Sequence, residues 1–286
     1  MKNEEQSVYR RILKGRKDMT EWLIHFTRDS AQATARDLLL TILTEGVLRP
    51  GFGMRGNPPR RTVYGQIPAV CFSEQPIASL LDYIRERADN RQTSGYGILI
   101  HKHDAYAAGG LPVIYGLQNV SEDESTRQNS GTDGLRRLDE GCLSAEEQFR
   151  YVTFAPTRSP HPIDWTHERE WRWPADSSHA AGNSLFYLGG LYGSSKMGMF
   201  EGRVHAFVYY DKDVEWLRSK LRQADKESRI GKVPWRLDYS EVWRNHHLCK
   251  MDVLSLETAE RELGNGNTNF ARLEDWPSDR RPKLFK

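Results

Sequence analysis

The sequence predicts one α+β domain built around mainly antiparallel sheets. Short apolar runs rich in β-branched and aromatic residues outnumber the helical patterns along the chain. Helices come between strands only near the beginning, so the pattern lacks the regular βαβ units of a parallel sheet. Aromatic residues form 10% of the 286 residues, which argues against disorder over most of the length.

Composition divides the chain into three parts, the second of which contains an insertion. Residues 1–20 are predicted to form a helical lead-in, and residues 21–263 to form the single α+β domain. Inside that domain, residues 118–141 are polar and are predicted to be a mobile insertion. Residues 264–286 are rich in Gly, Asn, Pro and charged residues, and are predicted to be a loosely packed tail.

Charge and cysteine content limit the functional classes. The 41 basic and 39 acidic residues give a net charge of +2, so the total does not imply general binding to a polyanion. The three cysteines are an odd and sparse set, typical of free thiols in a reducing cytosol. The start carries no secretory apolar core, and no run approaches the roughly 20 apolar residues of a membrane span. These features predict a cytoplasmic protein that does not enter a membrane.

The first strand and helix are the most clearly marked elements. Trp22–Phe26 has the composition of a strand, interrupted by the titratable His25. Ser30 or Thr34 can cap the helix that follows, and Gly46 stands where a helix C-cap glycine belongs. The apolar residues of that helix fall on one face, at Ala35, Leu38, Leu39, Ile42 and Leu43.

Later elements are predicted from the same periodicities. Strands are expected at residues 67–73, 96–101, 112–115, 167–173 and 204–210. Helices are expected at residues 76–87, 144–154 and 213–224, the last capped by Asp211 or Asp213. Residues 49–64 hold three glycines and three prolines and are expected to form a long loop. Neither a G-x-G-x-x-G dinucleotide motif after a strand nor a Walker phosphate loop occurs.

His25 and Thr27 are the first candidate site residues. They are two positions apart, so their side chains leave the same face of a strand. Beside a glycine-rich loop, two polar groups on one face could form the floor of a ligand site. The alternative is a core histidine that is hydrogen-bonded to a neighbouring carbonyl, because most buried polar groups are simply satisfied.

A charged strand supplies the second candidate cluster. Alternation places Glu168, Glu170 and Arg172 on one face of the predicted strand. One interpretation is a surface ladder of ion pairs. The other is a carboxylate that Arg172 holds in place and that points at a substrate hydroxyl. Tryptophans on the same strand favour a central position, where one face would be buried and its charges would need partners.

Two histidine clusters and one arginine group are weaker candidates. His101 with His103, and His246 with His247 and Cys249, have metal-ligand residue types but lack the paired spacing of a zinc motif, so no metal is expected. Arginines in the Gly/Pro-rich loop could contact phosphate: Arg55, Arg60 and Arg61.

Several short motifs together resemble the ADP-ribosyltransferase fold, in its poly(ADP-ribose) polymerase-like branch. They are His25-Phe26-Thr27, then I-L-T-E-G-V-L at 42–48, then A-V-C-F-S-E at 69–74, the helix with Tyr83, and Glu170 in H-E-R-E-W-R-W. The setting of Glu170 also resembles the R-x-A-E strand of DNA-targeting ADP-ribosyltransferase toxins. Cys71 stands where many of these transferases hold a tyrosine.

This resemblance implies that residues 21–263 form an ADP-ribosyltransferase-like domain that takes NAD as substrate. It implies that His25 donates a hydrogen bond to the nicotinamide ribose 2′-hydroxyl and that Thr27 supports the same floor. Phe72 and Tyr83 would stack near the nicotinamide ring. Glu170, oriented by Arg172, would stabilise the positive charge that develops as nicotinamide leaves. The implied catalytic set is His25, Tyr83 and Glu170.

A second resemblance, to the abortive-infection AbiGi-like proteins of bacteria, extends over residues 22–210. It rests on H-F-T, V-C-F-S at 70–73, Y-G-I-x-I-x-K at 96–102, P-V-I-Y at 112–115 and E-R-E-W-R at 168–172. It implies a phage-defence protein. Combined with the transferase resemblance, it implies an effector that modifies a nucleic-acid or protein acceptor and that a protein partner regulates. The alternative is a non-catalytic antitoxin or sensor that keeps the fold.

Overall fold

The computed structural model describes residues 16–55, 60–87, 94–117, 136–139, 141–160, 162–175, 185–189, 204–232 and 239–285. The predicted lead-in helix falls mainly outside these ranges, and so does most of the predicted insertion at 118–141. Over the described ranges, no helix combines the length and the apolar character needed to cross a membrane.

The described residues form thirteen short strands and six α-helices, together with short 3₁₀ helices and one π-helical turn. The strands are β1 (Trp22–Phe26), β2 (Val47–Leu48), β3 (Met54–Arg55), β4 (Arg60–Arg61), β5 (Ala69–Ser73), β6 (Gly97–His101), β7 (Leu111–Pro112), β8 (Ile114–Leu117), β9 (Tyr151–Phe154), β10 (Glu170–Pro174), β11 (Phe186–Tyr187), β12 (Val204–Val208) and β13 (Val253–Ser255). The helices are α1 (Ala35–Glu45), α2 (Ile77–Arg87), α3 (Lys102–Ala107), α4 (Asp211–Lys226), α5 (Tyr239–Val242) and α6 (Leu256–Gly264).

A seven-stranded sheet forms the centre of the molecule, in the order β13-β12-β6-β1-β5-β10-β7. Every neighbouring pair is antiparallel except β12 and β13, which are parallel and lie at one edge. The predicted α+β class with mainly antiparallel pairing is therefore confirmed. The expectation that helices come between strands only near the beginning is wrong, because a parallel pair needs a crossover and α4 lies in the one between β12 and β13.

Helices cover both faces of this sheet. Successive residues of β1 point to opposite faces of the sheet. Leu23 belongs to the core under α1 and α4, and Ile24 belongs to the core under α2 and α6. Both residues are fully buried. The first strand of the chain is thus a central strand, with apolar packing above and below it, and its polar residue His25 lies at the end of an otherwise buried segment.

Helix α1 has the boundaries that its sequence predicts. Thr34, not Ser30, is the N-cap, and its side chain accepts a hydrogen bond from the Asp37 amide. Gly46 ends the helix in the left-handed conformation, with φ of 76°. A Cβ on Gly46 would lie 2.7 Å from Cδ2 of the buried Trp243, so only glycine fits at this contact.

Four local predictions are wrong. The helix expected at 144–154 is a 3₁₀ turn, Gln148–Arg150, followed by β9, which pairs in parallel with β8. Within the expected loop 49–64, β3 and β4 form a small antiparallel ribbon. Helix α4 begins at Asp211, so the aspartates expected to cap it lie inside its first turn. The tail expected to pack loosely is anchored by buried residues in and around short 3₁₀ turns, including Phe270, Leu273, Trp276 and Leu284.

Strand β12, next to the edge strand β13, contains a histidine, His205, that should make stability depend on pH. His205 Nδ1 accepts a hydrogen bond of 3.2 Å from the Asp252 amide, and Lys283 pairs with the Asp252 carboxylate at 2.5 Å. Burial lowers the pKa of His205 from 6.5 to about 4, although the Asp252 charge opposes this. The folded state therefore holds a neutral imidazole at neutral pH.

We expect the protein to lose about 3 kcal/mol of unfolding free energy through His205 as the pH falls from about 6.5 to about 4. The unfolded chain binds the proton first, so stability is present above pH 6.5 and is lost as pH approaches the folded pKa. His205→Asn keeps a hydrogen-bond acceptor but does not titrate. Urea unfolding at several pH values should show a shallower loss in His205→Asn, and equal losses in the two proteins would contradict the assignment.

Candidate functional site

An open groove of about 1000 Å³ begins where two strands of the central sheet separate. Strands β1 and β5 are paired at a single position, Ile24 opposite Ser73. Beyond that pair, the two strands form the floor of the groove, and α1, the β3–β4 ribbon and the segment that leads into β10 form its walls. The groove volume is at the upper end of the roughly 300–1000 Å³ of small-molecule sites.

His25 bridges the gap between the separating strands. Its Nδ1 lies 3.0 Å from the Cys71 carbonyl oxygen. A carbonyl can only accept, so Nδ1 carries the proton. Burial lowers the pKa of the imidazole below 6.5, and the charge of Arg28 adds to this, against the opposing effect of the Cys71 bond. The neutral ring therefore leaves Nε2 as an acceptor, whereas the resemblance implies a histidine that donates to a ligand.

Glu170 and Arg172 form a nearly buried ion pair on β10, next to the β5 side of the groove floor. They face Ser73 and Cys71 on β5, so they share one face of the sheet as predicted. Arg172 Nε and Nη2 donate to the two Glu170 oxygens at 2.8 and 3.2 Å. The Arg172 side chain is 3% exposed and also donates to the carbonyls of Phe149 and Tyr151. The guanidinium thus fixes the orientation of the Glu170 carboxylate, which is 11% exposed.

Glu168 is not part of the strand that the alternation predicted. It lies in a 3₁₀ turn, Thr166–Glu168, and Arg169 then adopts a left-handed φ of 44° before β10 begins. Its Oε1 accepts a hydrogen bond of 2.9 Å from the Tyr83 hydroxyl. Glu168 and Tyr83 both line the groove. The structure therefore brings a second carboxylate to the site, where the surface-ladder interpretation placed a solvated residue.

Three other residues named from the sequence lie at the groove but are largely buried: Phe72, Thr27 and Cys71. Phe72 is 2% exposed and packs against Phe186, so it backs His25 at 5.9 Å and offers no free stacking face. Thr27 is 4% exposed and its hydroxyl donates to the Tyr96 carbonyl, which fixes the end of β1. Burial, and next the charge of Glu170, raises the pKa of Cys71 to about 12. The thiol is therefore protonated at neutral pH and is a poor nucleophile.

Arginines are concentrated along this groove. Seven line it, against three glutamates, although basic and acidic residues are nearly equal over the whole chain. The sequence indicates Arg60 and Arg61 through their Gly/Pro-rich loop, but it does not indicate Arg28, Arg136 or Arg158, because no local pattern marks residues that only the fold brings together. The side chain of Arg55, the third predicted phosphate contact, lies outside the described part of the structure.

The predicted metal-type clusters have other contacts. His101 Nδ1 accepts from the His103 amide, and the His247 ring stacks on Trp243. Cys249 Sγ donates to the Asn245 carbonyl. Among the residues that the structure describes, no group of three His, Cys, Asp or Glu side chains is arranged to hold a metal ion.

Comparison with known proteins gives no relative: no protein-family model, characterised protein or solved structure matches this chain. A function is therefore argued from the split sheet, the groove and the side chains that the groove brings together.

Proposed function

We propose that this chain is an NAD-dependent ADP-ribosyltransferase that binds NAD in the groove between β1 and β5. The observation that carries this proposal is that a neutral His25 on β1 and an oriented Glu170 on β10, the strand that pairs with the other side of β5, line the same groove. An acceptor nitrogen and a carboxylate can both accept hydrogen bonds from the hydroxyls of a ribose. The carboxylate can also stabilise positive charge that develops on the sugar.

The reaction would proceed by transfer at the nicotinamide ribose. The bond between C1′ and the pyridinium nitrogen breaks, its electron pair neutralises the pyridinium, and nicotinamide leaves. Positive charge then develops on the ribose, where the fixed carboxylate of Glu170 stabilises it. A nucleophilic atom of the acceptor forms the new bond to C1′ and releases its proton.

The other groove residues have supporting roles in this proposal. His25 Nε2 accepts a hydrogen bond from a ribose hydroxyl, which reverses the direction expected from sequence. Tyr83 presents its ring to the nicotinamide while Glu168 holds its hydroxyl. Arg172 holds the Glu170 carboxylate in its orientation. In a bacterial cell, such an activity would act as a phage-defence effector in abortive infection.

A non-catalytic binding module is the second candidate, as an antitoxin or sensor. The observation in its favour is that Arg172 engages both carboxylate oxygens of Glu170, as a structural ion pair would. Against it, the groove in front of His25 is open, and no helix or loop of the described ranges fills it. Expression in bacteria separates the two: an effector should be toxic and its Glu170→Ala variant harmless, whereas a binding module should give no difference.

We expect NAD to raise the melting temperature of the purified protein. A ligand at 100 times its dissociation constant stabilises the folded state by about 2.7 kcal/mol, which for a chain of this size is roughly 5 °C or more. His25→Ala should abolish this shift and lower the ligand-free melting temperature by only a few degrees, roughly the effect of one hydrogen bond. Differential scanning fluorimetry measures both quantities.

Tyr106→Ala is the control for that experiment, because Tyr106 is 63% exposed and does not line the groove. This variant should show the wild-type shift. No shift of the wild-type protein at millimolar NAD would count against the transferase proposal.

A further inference from the structure

Three consecutive residues at the end of β5 hold the turn that leads into β10. Each donates a hydrogen bond to a main-chain carbonyl of that turn: Ser73 Oγ to Glu168 at 2.5 Å, the Glu74 amide to Arg169 at 3.2 Å and Gln75 Nε2 to His167 at 3.2 Å. Arg169 is the residue with the left-handed φ of 44°, so the chain is held where its backbone is strained. The next residue is Glu170, whose place on β10 depends on this anchoring.

Glu74 also holds β10 through its side chain. Its Oε2 accepts a hydrogen bond of 2.9 Å from Trp171 Nε1, and its Oε1 accepts one of 2.5 Å from Lys102 Nζ. Glu74 thus contacts the residues on both sides of Glu170. Successive strand residues point to opposite faces of a sheet, so Trp171 and Glu170 lie on different faces. Neither Glu74 nor Lys102 lines the groove, and neither would touch a ligand there.

Lys102 connects this anchor to the strand that carries His25. Lys102 follows β6 directly, and its amide donates to the Glu21 carbonyl, just before β1, at 2.7 Å. Strand β6 pairs with β1 at all five positions, including His25 opposite Ile98. The ion pair of Lys102 with Glu74 therefore links the strand of His25 to the strand of Glu170, which backbone pairing joins only through the single β1–β5 contact.

The Glu74–Lys102 pair is built for fixed geometry more than for stability. Each side chain is 13% exposed, so both charges have lost most of their water. The cost of removing that water offsets much of the attraction within a nearly buried pair. What the pair supplies is direction, because charge-assisted hydrogen bonds are short and each carboxylate oxygen of Glu74 has its own donor.

We propose that Glu74 and Lys102 are positioning residues that set the distance between His25 and Glu170. Their effect on the reaction rests on the proposed function, in which both groups contact one ribose. The carboxylate of Glu170 stabilises the developing charge only if it is placed correctly relative to the sugar that His25 holds. A displacement of about 1 Å by a change remote from the reacting atoms can lower a rate by about 10²-fold.

The kinetic test measures nicotinamide release by Glu74→Gln and Lys102→Met, each of which removes the ion pair. We expect kcat to fall by about 10- to 100-fold. The KM for NAD should change little, because Glu170 acts on charge that develops only in the transition state. Lys102→Arg should keep most of the wild-type rate, since arginine can pair with the same carboxylate. The double variant Glu74→Gln/Lys102→Met leaves no unpaired charge and should lose no more than the worse single variant.

Lys283→Met is the matched control, because Lys283 also pairs with a carboxylate at 2.5 Å, that of Asp252, but far along the sheet from the groove. Its kcat should equal that of the wild type. Equal falls in kcat for Lys102→Met and Lys283→Met would overturn the proposal, since any lost ion pair would then have the same effect. A raised KM with unchanged kcat in Glu74→Gln would also overturn it.

Hydrogen exchange without NAD separates this proposal from the proposed function. Peptides that contain β10 should exchange faster in Glu74→Gln than in the wild type, and peptides that contain β13 should not. Lys283→Met should give the opposite pattern. Unchanged exchange of β10 in Glu74→Gln would overturn the positioning role even if the protein releases nicotinamide. Faster exchange of β10 in a protein whose wild type releases none would refute the transferase proposal alone.

Discussion

Glu170→Gln should lower the rate of nicotinamide release by roughly 10²–10³, the scale seen when one preorganised electrostatic group is lost. The substitution keeps the shape of the side chain and an oxygen that can accept from Arg172, but it removes the charge. Positive charge develops on the ribose only as the bond to nicotinamide breaks, so the carboxylate stabilises the transition state more than bound NAD. The dissociation constant of NAD should therefore change little. The assay uses purified protein with cell extract as the acceptor.

Glu168→Gln is the matched control for this experiment. Both glutamates line the same groove, and glutamine at 168 keeps an oxygen that can accept from the Tyr83 hydroxyl. We expect this variant to lose far less activity than Glu170→Gln. Equal rates for wild type and Glu170→Gln would remove Glu170 from the reaction centre. An absence of activity in both proteins, with NAD binding intact, would support the binding module.

Gly46→Ala should destabilise the fold by about 2–5 kcal/mol. A left-handed conformation costs a residue with a Cβ about 1–2 kcal/mol, and displacement of a packed ring costs about 1–3 kcal/mol more. The ring in question is Trp243, which is fully buried and donates from Nε1 to the Leu43 carbonyl at 2.8 Å. The melting temperature should fall by roughly 10 °C.

Gly264→Ala provides a control of opposite sign. Gly264 ends α6, and a Cβ there meets nothing within 4 Å. Alanine is favoured over glycine in a helix by up to about 1 kcal/mol, so this variant should be neutral or slightly stabilised. A Gly46→Ala protein that melts with the wild type would mean that Trp243 can move aside without cost.

Elements whose ends and buried face are marked by residues within the element itself can be predicted from the sequence. Helix α1 has a capping threonine, one apolar face and a glycine stop, and each acts within a few residues of chain. The sequence predicts a helix where β9 lies, because the polar residues before β9 do not alternate with apolar ones as a half-buried strand would. The conformation of β9 is decided by its pairing with β8, which is distant in sequence. The C-terminal segment was missed for a similar reason: its 3₁₀ turns each bury single apolar residues, such as Phe270 and Trp276, at no regular spacing.

The candidate site divides in the same way. His25, Glu170 and Arg172 could be identified because their strands have recognisable patterns. The direction of the His25 hydrogen bond could not, because it depends on the Cys71 carbonyl of another strand. No residue near Arg169 indicates that it adopts a left-handed conformation. The start of β10 after Glu168 could therefore not be predicted from the sequence. Arg136 and Arg158 reach the groove through tertiary structure alone.

The single pairing between β1 and β5 has a consequence for what holds the two halves of the sheet together. Backbone hydrogen bonds tie β1 to β6 along all five residues and tie β10 to β5 along five, but Ile24 opposite Ser73 is the one position where the two halves of the sheet meet. The β5–β10–β7 half, with Glu170, is therefore joined to the β1–β6–β12–β13 half mainly by side chains: the shared core of Leu23, Val70 and Phe72, the His25 hydrogen bond and the Lys102–Glu74 ion pair.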